Sequence, residues 1–136
     1  MTARPAFIAL LLFFALTACV FGLFAPRFAT ASNMENLMSG FSFVAILAIG
    51  QTFPILVRGI DLSIGAIVGL VGMVVFDLSL MFHMPGYVVL PVALLVGGLA
   101  GALNGALIIF LRLQPFIATL ATLAAYRGIV YSISGR

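Results

Sequence analysis

Lysine and tryptophan are absent from this 136-residue chain, histidine and cysteine occur once each, and only Glu35, Asp61 and Asp77 carry negative charge. Each shortage excludes something. Without lysine there is no Schiff-base nucleophile and no lysine for a phosphate-binding loop, so any ATP that drives this protein is expected to be hydrolysed on another chain. His83 alone cannot build a metal cluster. Cys19 lies inside an apolar run and has no second cysteine to pair with. No Ser/His/Asp grouping, carboxylate pair or metal-ligand spacing is visible, so no catalytic or metal-binding residue is assigned and no cofactor is expected in this chain.

What remains is largely apolar. The sequence is 65% hydrophobic, and six arginines with three acids make up its whole charge, a balance that a soluble domain with a polar surface does not show. The chain therefore reads as an integral membrane protein whose main surroundings are the lipid bilayer. Arg4, Arg27, Arg58, Arg112, Arg127 and Arg136 are scattered beside apolar runs rather than clustered. That pattern marks the flanks of membrane spans and offers no nucleic-acid surface.

The expected fold class is an all-α polytopic transmembrane bundle, one region over 1–136, with apolar segments at about 6–24, 41–57, 63–82, 88–111 and 116–133. About 20 helical residues, rising roughly 1.5 Å each, cover the hydrocarbon core. Leu16-Thr17-Ala18-Cys19 has the look of a lipid-attachment box, and Arg4 ahead of an apolar stretch that of a signal peptide. The apolar run continues through Val20 to Phe24 without a cleavage-like break, so the first segment is read as a retained span. Residues 26–36 form a polar interval in which Asn33 is expected to cap a short helix.

Gly50, Gln51, Thr52 and Pro54 interrupt the second span, and a break is expected near 50–54 because proline removes a backbone donor and crowds the preceding turn. Arg127-Gly128 falls roughly 18 Å into the fifth segment, where an arginine is costly unless it snorkels or meets water or a partner. A second irregularity is therefore expected across 112–128. Gly65 and Gly69, and Gly97, Gly101 and Gly105, recur at four-residue spacing and read as helix-packing positions. Arg4, Arg58 and Arg112 fall on one side if the spans alternate, which makes the amino terminus cytoplasmic.

Arg58 to Gly65 sets a cation and an anion between two apolar runs. Asp61 at the start of the third helix can accept backbone N–H bonds and is favoured by the helix dipole. Alternatively, Asp61 and Ser63 present hydrogen-bonding groups to a hydroxylated solute at an interrupted-helix site. Gln51, Asn104 and Thr119, polar positions within apolar spans, pose the same choice between interhelical bonding and pathway lining. Asp77 lies about five residues from its helix end, close enough to reach outward to water.

Gly59-Ile60-Asp61-Leu62-Ser63-Ile64-Gly65, with Ala48-Ile49-Gly50-Gln51-Thr52 before it, resembles the signature region of bacterial ABC-importer permeases for ribose, xylose, galactofuranose and related sugars. The likeness continues through Gly97 to Gly105 and from Gln114-Pro115-Phe116 to Arg127-Gly128. It implies a permease subunit in the bacterial inner membrane, paired with a second permease chain of the same or another kind. Cytoplasmic ATPase subunits and a periplasmic sugar-binding protein complete the implied importer. Many relatives have a second glycine where this chain has Arg58. Family permeases run to about twice this length, so the resemblance implies an amino-terminal half. Half of an ion-coupled secondary transporter, using Asp61 or Asp77, and an inactive truncated or accessory membrane protein are the alternatives. The solute-pathway candidates are Gln51, Asp61, Ser63, Asn104 and Thr119.

Overall fold

The computed structural model describes residues 4–135 and is all-helical over them. Five helices follow in order: α1 (Arg4–Phe24), α2 (Ala31–Leu56), α3 (Ile64–Phe76), α4 (Gly86–Ile109) and α5 (Pro115–Ser134). A π-helical segment, Asp77–Met81, extends α3, so that 18 continuous residues from Ile64 to Met81 are long and apolar enough to cross a membrane. With α1, α2, α4 and α5 this gives five such spans, and the chain is a multi-pass membrane protein. Arg136 lies outside the described residues, as does the side chain of Arg4.

The chain divides into two compact units, Met1–Ile46 and Leu47–Arg136. In the first, α1 ends in a tight turn. Phe28 N–H donates to the Ala25 carbonyl at 2.9 Å, and the Phe21 and Phe28 rings stack at 5.7 Å. Thr30, not Asn33, caps α2: its hydroxyl oxygen accepts the Asn33 N–H at 3.4 Å, the bond to the third helical residue that defines a cap. Asn33 is already inside the helix and donates from Nδ2 to the Phe28 carbonyl at 2.7 Å. The helix therefore begins ten residues before the apolar run at Phe41, because capping rather than hydropathy sets where a helix starts.

α2 runs unbroken past Gly50–Pro54 to Leu56. Pro54 removes the donor to only one carbonyl, that of Gly50, and it falls in the last turn, where a helix has little left to lose. The end is closed by Gly59 N–H donating to the Pro54 carbonyl at 2.8 Å and Arg58 N–H to the Ile55 carbonyl at 2.9 Å. That pair of bonds is a Schellman motif, and it requires a left-handed residue at Arg58. Arg58 has φ 60°. α5 is likewise continuous through Arg127-Gly128, and the irregularity expected across 112–128 is confined to the turn before Pro115. Arg127 lies on an exposed face of α5.

In the second unit α3 packs against both α4 and α5, with Ala66, Leu70, Ala100 and Tyr126 at the centre. Tyr126 Oη donates to the Ala100 carbonyl at 2.9 Å and ties α5 to α4. Small residues at 66 and 100 let the helices close on this bond, which does the work that water would do in a soluble core.

Candidate functional site

Residues 57–63 connect α2 to α3 without regular structure, so their backbone groups need partners from elsewhere. Side chains of α2 and α5 supply two such partners, and a side chain of α4 bonds a loop side chain. Gln51 on α2 donates from Nε2 to the Asp61 carbonyl at 3.0 Å. Thr119 on α5 accepts the Leu62 N–H at 3.1 Å through Oγ1. Its single hydroxyl proton has the Pro115 carbonyl, at 2.8 Å, as nearest acceptor. Asn104 on α4 donates from Nδ2 to Ser63 Oγ at 2.6 Å.

Asp61 organises the loop from within. Its Oδ1 accepts both the Ser63 N–H and the Ser63 hydroxyl, each at 2.7 Å. These bonds reach the residue before α3 rather than the second or third residue of that helix, so Asp61 forms an Asx turn ahead of α3 instead of a helix cap. Ser63 is fully buried, Asn104 is 4% exposed and Thr119 2% exposed, whereas Asp61 is half-buried.

Proton counting fixes the polarity of this chain of bonds. A carboxylate oxygen only accepts, so the Ser63 hydroxyl spends its one proton on Asp61 and must accept from Asn104. The Asn104 amide is thereby turned with Nδ2 toward Ser63. Its Oδ1 is left buried without a partner, as is Gln51 Oε1. Buried polar atoms are nearly always paired, and an orphaned one destabilises the fold by about 1–3 kcal/mol unless something else meets it.

Asp61, Asn104 and Thr119 also line a cavity of about 380 Å³, within the range of small-molecule sites. Its apolar wall comes from Phe53, Pro54, Ile60, Ile108 and Pro115, and Gly101 and Gly105 complete the α4 side. The five polar residues named from sequence thus converge on one loop. Asp61, Asn104 and Thr119 reach the cavity, while Gln51 and Ser63 hold the loop and do not line it. Sequence reading passed over Pro115 and Ile108, whose types carry no chemical signal. Gly59 opens the signature-like stretch but is not among the solute-pathway or packing residues named from sequence. It is buried, and a Cβ there would stand 3.2 Å from Pro115 Cβ and 3.3 Å from the Pro54 carbonyl oxygen. The loop and the start of α5 therefore touch at Gly59, a closeness that only the fold brings about.

Of the glycines read as packing positions, Gly97 has Val71 Cγ2 3.5 Å from where its Cβ would stand. Gly65, Gly69, Gly101 and Gly105 have no atom within 4 Å of that point. Asp77 begins the π-helical segment and lines a separate cavity of about 370 Å³ with Met73, Met81 and Ser134.

Residues 33–135 match the family described as branched-chain amino acid transport system, permease component. Among curated proteins, the chain is 37% identical over 126 residues to the ribose import permease protein of Haemophilus influenzae, which covers 93% of this chain and 38% of that protein. It is 41% identical over 121 residues to the D-allose transport system permease protein of Escherichia coli, covering 88% of this chain and 37% of that protein. With the xylose transport system permease protein of the same organism it shares 35% identity over 129 residues, 95% of this chain and 31% of the relative. The chain thus spans a little over a third of the length of the first curated relatives it matches. No solved structure matches. Five membrane-length helices, a polar loop clamped between them and a family match over residues 33–135 agree, and the chain belongs to the family of branched-chain amino acid transport system permease components.

Proposed function

We propose that this chain is part of a permease subunit of an ATP-driven sugar importer and forms a section of the solute passage. The observation that carries this reading is the cavity at the α2–α3 loop, where a half-buried carboxylate, a buried amide and a buried hydroxyl meet an otherwise apolar wall. A few polar groups on an apolar wall suit a neutral, hydroxylated solute, which needs hydrogen bonds and gains nothing from a fixed opposite charge. The names of the ribose, allose and xylose permeases among its relatives support a monosaccharide.

On this reading Asp61, Asn104 and Thr119 face the solute, while Gln51 and Ser63 position them. ATP is bound and hydrolysed by cytoplasmic ATPase subunits, a periplasmic binding protein delivers the sugar, and a second permease chain completes the passage. The Arg58 and Arg112 turns, brought close where Gly59 meets Pro115, lie on the cytoplasmic side of the bacterial inner membrane. The amino terminus lies there too.

Uptake of labelled ribose, allose and xylose by cells making the assembled transporter tests this directly. Asp61→Ala is expected to reduce uptake at least tenfold with assembly intact, and uptake is expected to stop on ATP depletion. Uptake that survives ATP depletion and collapses with the proton gradient would overturn the reading in favour of ion coupling.

A further inference from the structure

Gly101 and Gly105 lie one turn apart on α4, both line the cavity, and Asn104 stands between them. A Cβ at either position would meet nothing within 4 Å, so among the described residues no helix uses them for close approach. Asn104, 4% exposed, lines the same cavity with an Oδ1 that no protein group satisfies. That oxygen is buried in this conformation, and the glycines on either side of Asn104 put no side chain into the cavity beside it. Gly98 has the same open surroundings but is not among the residues lining the cavity.

Resting on the permease reading above, we propose that Gly101 and Gly105 set the bore of the solute passage. Their missing side chains leave room for a sugar beside Asn104, and they are selectivity positions rather than helix-packing positions.

Packing and bore predict opposite signs for one substitution. An alanine in place of a helical glycine that touches nothing stabilises the helix, whereas alanine at a packed glycine pushes two helices apart. In the assembled transporter, Gly101→Ala and Gly105→Ala are expected to keep or raise the unfolding midpoint and to assemble normally. Sugar uptake should fall about tenfold or more for each methyl group added to the pocket. The loss should be greater for allose, a hexose, than for the pentoses ribose and xylose. Gly98→Ala should transport as wild type.

A thiol probe reads the wall independently of transport. In a Cys19→Ala background, Gly105→Cys is expected to react with a small water-soluble thiosulfonate, and allose should slow that reaction. Unchanged uptake in both alanine variants, or a lowered midpoint with uptake tracking the folded fraction, would overturn the proposal. Protection of Gly105→Cys in the assembled transporter without sugar would do the same. If the wild-type transporter takes up none of the three sugars, the permease reading fails, and thiol reactivity at Gly105→Cys still decides whether the glycines border an open bore.

Discussion

α1 and α5 have nearly the same length, 21 and 20 residues, and each is apolar enough to cross a membrane, yet they are built to different ends. None of the described side chains of α1 is buried, and its one hydroxyl, that of Thr17, bonds to its own helix at the Phe13 carbonyl, 2.8 Å away. α5 buries Ala118, Thr119, Thr122 and Tyr126, and two of these reach other segments: Thr119 the α2–α3 loop and Tyr126 the α4 backbone. The same contrast holds between the units. Lipid is as apolar as leucine, so apolar side chains alone give helices in a membrane little reason to associate. Polar side chains that leave their own helix mark where tertiary structure, and here the candidate site, is made.

The sharpest way to break this contrast is to remove one hydroxyl from each helix. Thr119→Val keeps the shape but leaves the Leu62 N–H unpaired in a buried place, and a loss of about 1–3 kcal/mol is expected. Thr17→Val removes a bond within one helix on an exposed face and should stay within about 0.5 kcal/mol of wild type. Unfolding midpoints in detergent micelles measure both. Equal effects would mean that Thr119 clamps nothing that the helix does not already hold.

A second pair uses glycine. Gly59 is buried, with Pro115 and the Pro54 carbonyl 3.2 to 3.3 Å from the position of a Cβ. A ring and a backbone oxygen cannot swing aside as a flexible side chain would. Gly59→Ala is therefore expected to destabilise by about 1–2 kcal/mol. Gly22 in α1 has nothing within 4 Å, and Gly22→Ala should stabilise by about 0.5–1 kcal/mol through lost unfolded-state freedom. The same methyl group thus moves the midpoint in opposite directions in the two units.

Much of this was legible in the sequence, and the rest was not for definable reasons. Five spans followed from runs of apolar residues, since the bilayer leaves a chain few other options. Gln51, Asp61, Ser63, Asn104 and Thr119 stood out because each is polar in an apolar setting. Their convergence on one loop was not readable, because bonds such as Leu62 to Thr119 join residues 57 positions apart. The break assigned to Pro54 was misplaced because a proline's effect depends on how much helix follows it, and here only two residues do. The four-residue glycine spacing was ambiguous in principle: a missing side chain admits a neighbouring helix or leaves a space, and periodicity is the same for both.

The finest difference between the units is backbone strain. Among the described residues, the non-glycine positions with positive φ are Arg58, His83 and Arg112, all in the second unit and all just beyond a helical segment. At Arg58 the Schellman bonds to Pro54 and Ile55 impose the left-handed conformation, which in a residue with a Cβ is disfavoured by roughly 1–2 kcal/mol. Arg58→Gly relieves that strain, while glycine's greater unfolded-state freedom takes back about 0.4–1 kcal/mol. The net expectation is a stabilisation of about 0.5–1 kcal/mol. Arg27, in the turn after α1, has no positive φ to relieve, so Arg27→Gly should only lose stability, by about 0.5 kcal/mol. A lowered midpoint in Arg58→Gly would mean that the guanidinium contributes more at this membrane edge than the strained backbone costs, and the arginine would then be retained for its charge rather than tolerated at a glycine's position.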